Sequence, residues 1–223
     1  MSEQQTPRKI LLATGNPGKF REISAVLSEL VDGIDLPPIH WISLEDLPTQ
    51  VPEPVEDQET FAANAALKAC YYSHATGLWT LADDSGLEVD ALGGAPGVRS
   101  ARYSGLPPGA PREEVTRANN AKLIAALAGV GPDRRSARFR CCLALASGDR
   151  ILATAEGTVE GRIIDEPRGA GGFGYDPHFL LPDLGKTTAE LPPEEKNRIS
   201  HRGKALQRLR VFLPTVCTQP EPS

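Results

Sequence analysis

Gly171-Gly172-Phe173-Gly174-Tyr175-Asp176-Pro177 sets two aromatic rings among glycines, with Lys196 and Ser200-His201-Arg202 downstream. Glycine lets a ligand approach the backbone closely, because no side chain stands in the way. An aromatic side chain stacks on a flat ring. Lys, His and Arg donate hydrogen bonds to ring oxygens or phosphates. These types in this order describe a pocket for a purine nucleotide, lined by Phe173, Gly174, Tyr175, Asp176, Lys196, His201 and Arg202, with Phe173 or Tyr175 as the stacking ring. The competing reading makes both rings core plugs in a glycine turn.

Thr14-Gly15-Asn16-Pro17-Gly18-Lys19 lies between a short apolar run and a helical pattern. A helix N-terminus offers unpaired N–H groups and the positive end of its dipole, and both attract phosphate. Lys19 adds a full charge. The spacing is not that of a Walker A loop, because Phe20 stands where that motif needs Ser or Thr. An ordinary strand–helix turn is the alternative. Asp83-Asp84-Ser85-Gly86 follows a second apolar run. Carboxylates at a strand's C-terminal end often face the ligand crevice of an α/β sheet. One or two of them, with substrate phosphates, are the usual holders of Mg²⁺. The alternative here is a polar turn closed by local backbone bonds. Glu53, Glu56, Asp57 and Glu59 form an acidic loop, one member of which can complete a metal site with Asp84. Lys68 falls one helical turn after Asn64 and either points at a phosphate or snorkels to water.

The elements that must hold these groups follow from periodicity. Lys9–Thr14 reads as a buried strand, and Phe20, Ile23, Val26, Leu27 and Leu30 give Lys19–Leu30 one apolar helical face. Ile39–Ile42 is a second strand, residues 44–58 a Pro- and acid-rich loop, and Thr60–Ala75 an alanine-dense helix ending at Gly77. Leu78–Ala82 is a strand that Asp83–Gly86 is expected to break. Arg112–Leu127 is a helix, and Ser136–Ala146 with Arg150–Glu160 is a hairpin around Ser147-Gly148-Asp149. His178–Leu181 is a short strand. Pro192–Leu213 is helical in at least two pieces, which Pro214 stops. This order predicts an α/β fold with a mixed sheet.

A chain of 223 residues with 40% hydrophobic content fits one domain, 8–213, with two lobes, and disordered tails at 1–7 and 214–223. The net charge of −5 argues against a nucleic-acid surface and for a small phosphorylated ligand. The four cysteines include no C-x-x-C pair, so neither a disulfide framework nor a zinc site is expected. Residues 1–7 are polar, and no apolar run approaches the ~20 residues that cross a membrane, so the expected location is the cytoplasm.

Together the motifs resemble the inosine triphosphate pyrophosphatase family in its bacterial type, whose members cleave ITP, dITP and XTP to monophosphates. The resemblance runs from Lys9 to Leu213. It rests on Thr14–Lys19, Thr60-Phe61 with Asn64-Ala65 and Lys68-Ala69, Ala82–Leu87, Leu92–Gly97, Ser100–Tyr103, Gly172–Pro177, Glu195-Lys196 and Ser200–Gly203. It implies an elongated mixed sheet with flanking helices, a cleft between two lobes, a homodimer and a Mg²⁺ requirement. Carried across, Thr14, Gly15, Asn16, Pro17, Gly18 and Lys19 hold the triphosphate, with Lys68 assisting. Glu56 and Asp84 bind metal, and Asp84 is also the proton acceptor. Ser85, Phe173, Gly174, Tyr175, Asp176, Lys196, His201 and Arg202 bind the nucleotide. Relatives commonly carry an acid pair before Thr-Gly, whereas this chain reads Glu53-Pro54-Val55-Glu56-Asp57-Gln58-Glu59-Thr60. Glu56 is the best match there, with Glu53 and Glu59 as alternatives. Rival readings are a pyrophosphatase for modified pyrimidine nucleotides and a nucleotide-binding regulatory module without catalysis.

Overall fold

The apolar triplet Ile10-Leu11-Leu12 is fully buried in β1 (Arg8–Ala13), as a strand covered on both faces requires. A computed structural model describes residues 8–31 and 38–217 of the chain. The turn after β1 leads into α1 (Pro17–Val31), which buries Ile23, Val26 and Leu27. β2 (Ile39–Ser43) precedes the acidic loop, and α2 (Phe61–Thr76) follows it. The Thr60 hydroxyl caps the start of α2 by accepting the Ala63 N–H at 3.1 Å. Gly77 ends it in a left-handed conformation that few other residues adopt at low cost. Ala65 and Ala69 are fully buried, as the dense alanine face predicts.

β3 (Trp79–Val89), α3 (Arg112–Ala126), β4 (Ser136–Ser147), β5 (Arg150–Ile163), β6 (Phe179–Leu181), β7 (Lys186–Thr187), α4 (Pro193–Ile199), α5 (His201–Arg210) and α6 (Leu213–Cys217) complete the regular elements. The sheet has seven strands in the order β2-β1-β3-β4-β5-β6-β7. β1 runs parallel to β2 and β3, whereas β6 runs antiparallel to β5 and β7. The fold is therefore α/β with a mixed sheet, as the order of elements predicts. β4 and β5 form the predicted hairpin, with Gly148 at φ +57° in its turn.

The chain divides into two compact units, one of residues 1–84, 141–157 and 202–223 and one of 85–140 and 158–201. The first unit's core gathers Ile10, Leu12, Leu27, Leu81, Leu143 and Leu206. The second unit's core gathers Leu87, Leu123, Leu127, Phe139, Ile163 and Phe179. Each fully buried side chain of this kind contributes roughly 1.5–3 kcal/mol of transfer free energy.

Two sequence expectations need correction. Asp83–Gly86 does not break the strand, which continues to Val89. Successive strand residues face opposite sides, and each aspartate finds cationic partners on its own side. Gly86 meanwhile admits the Ser100 hydroxyl, which would lie 2.3 Å from any Cβ there. Ser100 Oγ accepts the Leu87 N–H at 2.8 Å, so this polar stretch is satisfied in extended form. Nor does Pro214 end the helical region, because it lies in the first turn of α6, where a missing N–H breaks no bond. The two-residue β7 is too short to leave a periodic signal. The expected leader 1–7 and the tail beyond residue 217 lie outside the described residues.

Candidate active site

In the first unit, Asn16 shapes the turn between β1 and α1. Its Oδ1 accepts the N–H of Gly18 at 2.9 Å and of Lys19 at 3.3 Å, while its own N–H donates to Thr14 Oγ1 at 3.2 Å. Pro17 has no N–H, and the Phe20 N–H donates to the Asn16 carbonyl at 2.9 Å. The first turn of α1 is therefore capped from within the chain. The simple picture of N–H groups waiting for phosphate gives way to the helix dipole and the Lys19 ammonium. Glu53 stands beside this turn, 3.6 Å from where a Cβ on Gly15 would lie.

Lys19 Nζ makes an ion pair of 2.5 Å with Asp83 Oδ1. The other Asp83 oxygen lies 3.2 Å from Arg202 Nε and accepts the Cys141 thiol at 3.1 Å. Arg202 also pairs with Glu22 through Nη1. Asp83 and Arg202 are each 1% exposed. Burial alone would raise the Asp83 carboxyl, but Lys19, Arg202 and Lys68 outweigh it and hold the group far below the usual carboxylate range. Arg202 is correspondingly fixed in its charged form by Asp83 and Glu22, against its desolvation.

Asp84 faces the other way. Its Oδ1 lies 3.7 Å from Lys68 Nζ, which also sits 3.1 Å from Glu56 Oε1 and donates to the Asp83 carbonyl at 2.6 Å. Burial raises Asp84 to about 6; Lys68 and Lys19 pull against that rise, while Glu56 and Asp83 add to it. Lys68 is buried and turned inward rather than snorkelling to water. Its ammonium, penalised by burial, is more than restored by Asp84, Glu56 and Asp83. Among the acidic-loop candidates it is Glu56 that shares Lys68 with Asp84; Glu53 and Glu59 are exposed. Two converging carboxylates suit a small hard cation that takes its other ligands from phosphate and water. Among the described residues no group of three His, Cys, Asp or Glu could enclose a metal.

In the second unit, the glycine-aromatic loop folds around Asp176. Asp176 Oδ2 accepts Lys196 Nζ at 2.6 Å and the Phe173 N–H at 2.7 Å, and Oδ1 accepts the Thr188 hydroxyl at 2.8 Å. Lys196 Nζ lies 5.0 Å from the centre of the Phe173 ring. Gly172 has φ +71°, and a Cβ there would come within 2.1 Å of Asp176 Oδ2. Asn120 donates to the Gly174 carbonyl at 3.1 Å. Tyr175 is 5% exposed and donates its hydroxyl to the Ser100 carbonyl at 2.8 Å, so of the two rings it takes the core position. Phe173 is half-buried. His201 stacks on Phe139 with centroids 4.9 Å apart, and Ser85 is half-buried on β3.

Each unit thus brings its own predicted residues together: Lys19, Lys68, Glu56 and Asp84 in the first, Phe173, Asp176 and Lys196 in the second. Sequence reasoning missed the partners Glu22, Cys141 and Thr188, and gave Asp83 no task. Glu22 and Arg202 stand 180 residues apart, so no local pattern could have paired them.

The chain matches the Ham1 family over residues 10–212. It is 50% identical to a dITP/XTP pyrophosphatase of Geobacter sulfurreducens, over 92% of this chain and 96% of that protein. It is 48% identical to a dITP/XTP pyrophosphatase of Thermus thermophilus, over 90% of this chain and 89% of the relative. The solved HAM1 protein of Coxiella burnetii superposes with a TM-score of 0.78 at 39% identity, covering 93% of this chain and 99% of the other. A nucleoside-triphosphatase, dITP/XTP pyrophosphatase, of Mycobacterium abscessus gives 0.68 at 40% identity, over 90% and 98% of the two chains. A match of this extent to both the family and its solved structures means that the chain belongs to the Ham1 family.

Proposed function

We propose that this protein hydrolyses nonstandard purine nucleoside triphosphates, ITP, dITP and XTP, to the monophosphate and pyrophosphate. The relatives named dITP/XTP pyrophosphatase support this reading. The observation that carries it to this chain is the opposed pair on β3: Asp83 gathers cations on one side, and Asp84 shares the Lys68 ammonium with Glu56 on the other. A carboxylate held in place beside the reacting water can act as a general base, which is worth ~10²–10⁴-fold in rate.

In this reading Asp84 orients a water and takes its proton as the water attacks the α-phosphorus. Lys19 and the dipole of α1 stabilise charge growing on the departing pyrophosphate. Lys68 holds Asp84 and Glu56 in one place. Glu56 and Asp84 would hold Mg²⁺, which when bound neutralises phosphate charge and orients the leaving group. We assign the base to the second unit's residues, with Phe173 as the stacking ring and Asp176, Lys196 and His201 as its polar surround. Ser85 belongs to the same proposed set, whereas Arg202, 1% exposed and held by Asp83 and Glu22, acts through Asp83 rather than on the base. Donors facing the purine 6-oxygen discriminate against adenine, whose 6-amino group would leave them unmatched at a cost of roughly 1–3 kcal/mol each. We also propose a homodimer acting in the cytoplasm; no described helix is long and apolar enough to cross a membrane.

The deciding experiment measures pyrophosphate release from ITP, dITP, XTP, GTP and ATP with and without Mg²⁺. ITP and XTP are expected to exceed ATP in kcat/KM by at least ~100-fold, and chelation is expected to abolish turnover. Equal kcat/KM for ITP and ATP would defeat the purine-selective reading, and Asp84→Asn with wild-type kcat would remove the general base.

A further inference from the structure

Asp83 has three acceptor atoms, and each serves a different cation of the first unit. Oδ1 holds Lys19 at 2.5 Å, Oδ2 holds Arg202 Nε at 3.2 Å, and the main-chain carbonyl takes Lys68 Nζ at 2.6 Å. The Cys141 thiol closes the remaining side of Oδ2 at 3.1 Å. A carboxylate that is 1% exposed has no direct route to a solvent-borne ligand, whereas Lys19 keeps 16% of its side chain exposed. Asp83 therefore reaches out of the core only through the groups it holds.

We propose that Asp83 is a positioning residue for phosphoanhydride cleavage, fixing the Lys19 ammonium for the triphosphate and, from the same residue, the Lys68 ammonium that sits between Glu56 and Asp84. A lysine is a flexible point charge with rotatable bonds along its stem. Transition-state stabilisation needs that charge fixed before reaction rather than merely nearby. A buried carboxylate at ion-pair distance supplies the fixing. Because both lysines are referred to one strand residue, the phosphate-side charge and the carboxylate pair keep a set spacing. Arg202, itself bound to Glu22, keeps Asp83 from turning toward Lys19 alone. The proposal rests on the reading of the preceding section.

The test is a kinetic cycle on the full chain with ITP and Mg²⁺, using wild type, Asp83→Asn, Lys19→Ala and the double variant, with thermal melts to score folding. Asp83→Asn is expected to lower kcat at least tenfold while KM moves less than threefold. In the Lys19→Ala background the same change is expected to cost less than threefold, because the group it positions is gone. If Asp83→Asn lowers the melting temperature yet leaves kcat per folded enzyme unchanged, or lowers kcat by the same factor in both backgrounds, the proposal is overturned. Asp83→Glu keeps the charge but moves the carboxylate by one methylene, so it is the second variant should Asp83→Asn not fold. It is expected to lose kcat at least tenfold, and wild-type kcat in it overturns the proposal. Failure of both variants to fold makes Asp83 a purely structural residue and overturns it as well. A wild-type protein that releases no pyrophosphate from ITP overturns instead the functional reading beneath it.

Discussion

Asn64 and Gln58 grip each other twice: Asn64 Oδ1 accepts the Gln58 N–H at 3.1 Å, and Asn64 Nδ2 donates to the Gln58 carbonyl at 3.4 Å. Asn64 is fully buried on α2, and Gln58 lies two residues after Glu56. This pair therefore sets where the acidic loop can place Glu56. Asn64→Ala is expected to cost about 1–3 kcal/mol of stability, since the Gln58 backbone groups lose their partner. It is also expected to raise the Mg²⁺ concentration for half-maximal activity about 10–100-fold, as losing outer support of a metal ligand does. Denaturant melts and a Mg²⁺ titration check the two parts separately.

Acid should unfold the protein partly through Asp83. Its folded pKa lies far below the ordinary value near 4, because Lys19, Arg202 and Lys68 outweigh its burial. Between the two values the unfolded chain binds more protons than the native one, so stability falls as pH falls. The stabilisation is fully present above about pH 5 and is progressively lost below about pH 4. Melts of wild type and Asp83→Asn from pH 7 to 3 are expected to converge as the pH drops. A gap that stays constant would mean that the charge contributes nothing.

Two glycines of the aromatic loop should respond differently to alanine. Gly172 and Gly174 both have positive φ, +71° and +63°, so either substitution costs on the order of 1–2 kcal/mol of backbone strain. At Gly174 a Cβ meets nothing within 4 Å, whereas at Gly172 it would strike Asp176 Oδ2 at 2.1 Å. Gly172→Ala is thus expected to dislodge Asp176 from Lys196 and raise the KM for ITP about tenfold or more, corresponding to one lost charge-assisted bond. Gly174→Ala should lower stability with KM nearly unchanged. Steady-state kinetics beside thermal melts distinguishes the pair.

The two aromatic rings of that loop should also part company. Phe173→Ala removes the half-buried ring and is expected to cost about 1–3 kcal/mol of base stacking, read as a higher KM. Tyr175→Phe removes one of two donors to the Ser100 carbonyl, Asn119 Nδ2 at 3.3 Å being the other, and is expected to cost about 1 kcal/mol of stability with little kinetic change. The opposite pattern would exchange their roles.

Much of this arrangement is legible in the sequence wherever local rules govern it. The Thr60 cap, the Gly77 stop and the Gly148 turn follow from backbone preferences of single residues. The glycine-aromatic loop and its lysine announce themselves by composition. Asp83 is the counter-example. A run of two aspartates, serine and glycine has the local chemistry of a turn, yet Lys19 and Arg202, 119 residues away from it in the latter case, keep it in a strand. Tertiary charge pairing overrode local propensity there, and no window along the chain contains both partners. Tyr175 escaped for a similar reason, because its fate as a core residue is decided by a carbonyl 75 residues upstream.

The internal cap at Asn16 bears on how a nucleotide arrives. Since one amide oxygen already satisfies the Gly18 and Lys19 donors, the β1–α1 turn needs no guest to hold its shape. Under the proposed function, a triphosphate arriving there would meet a preformed turn and spend none of its binding free energy on folding a loop.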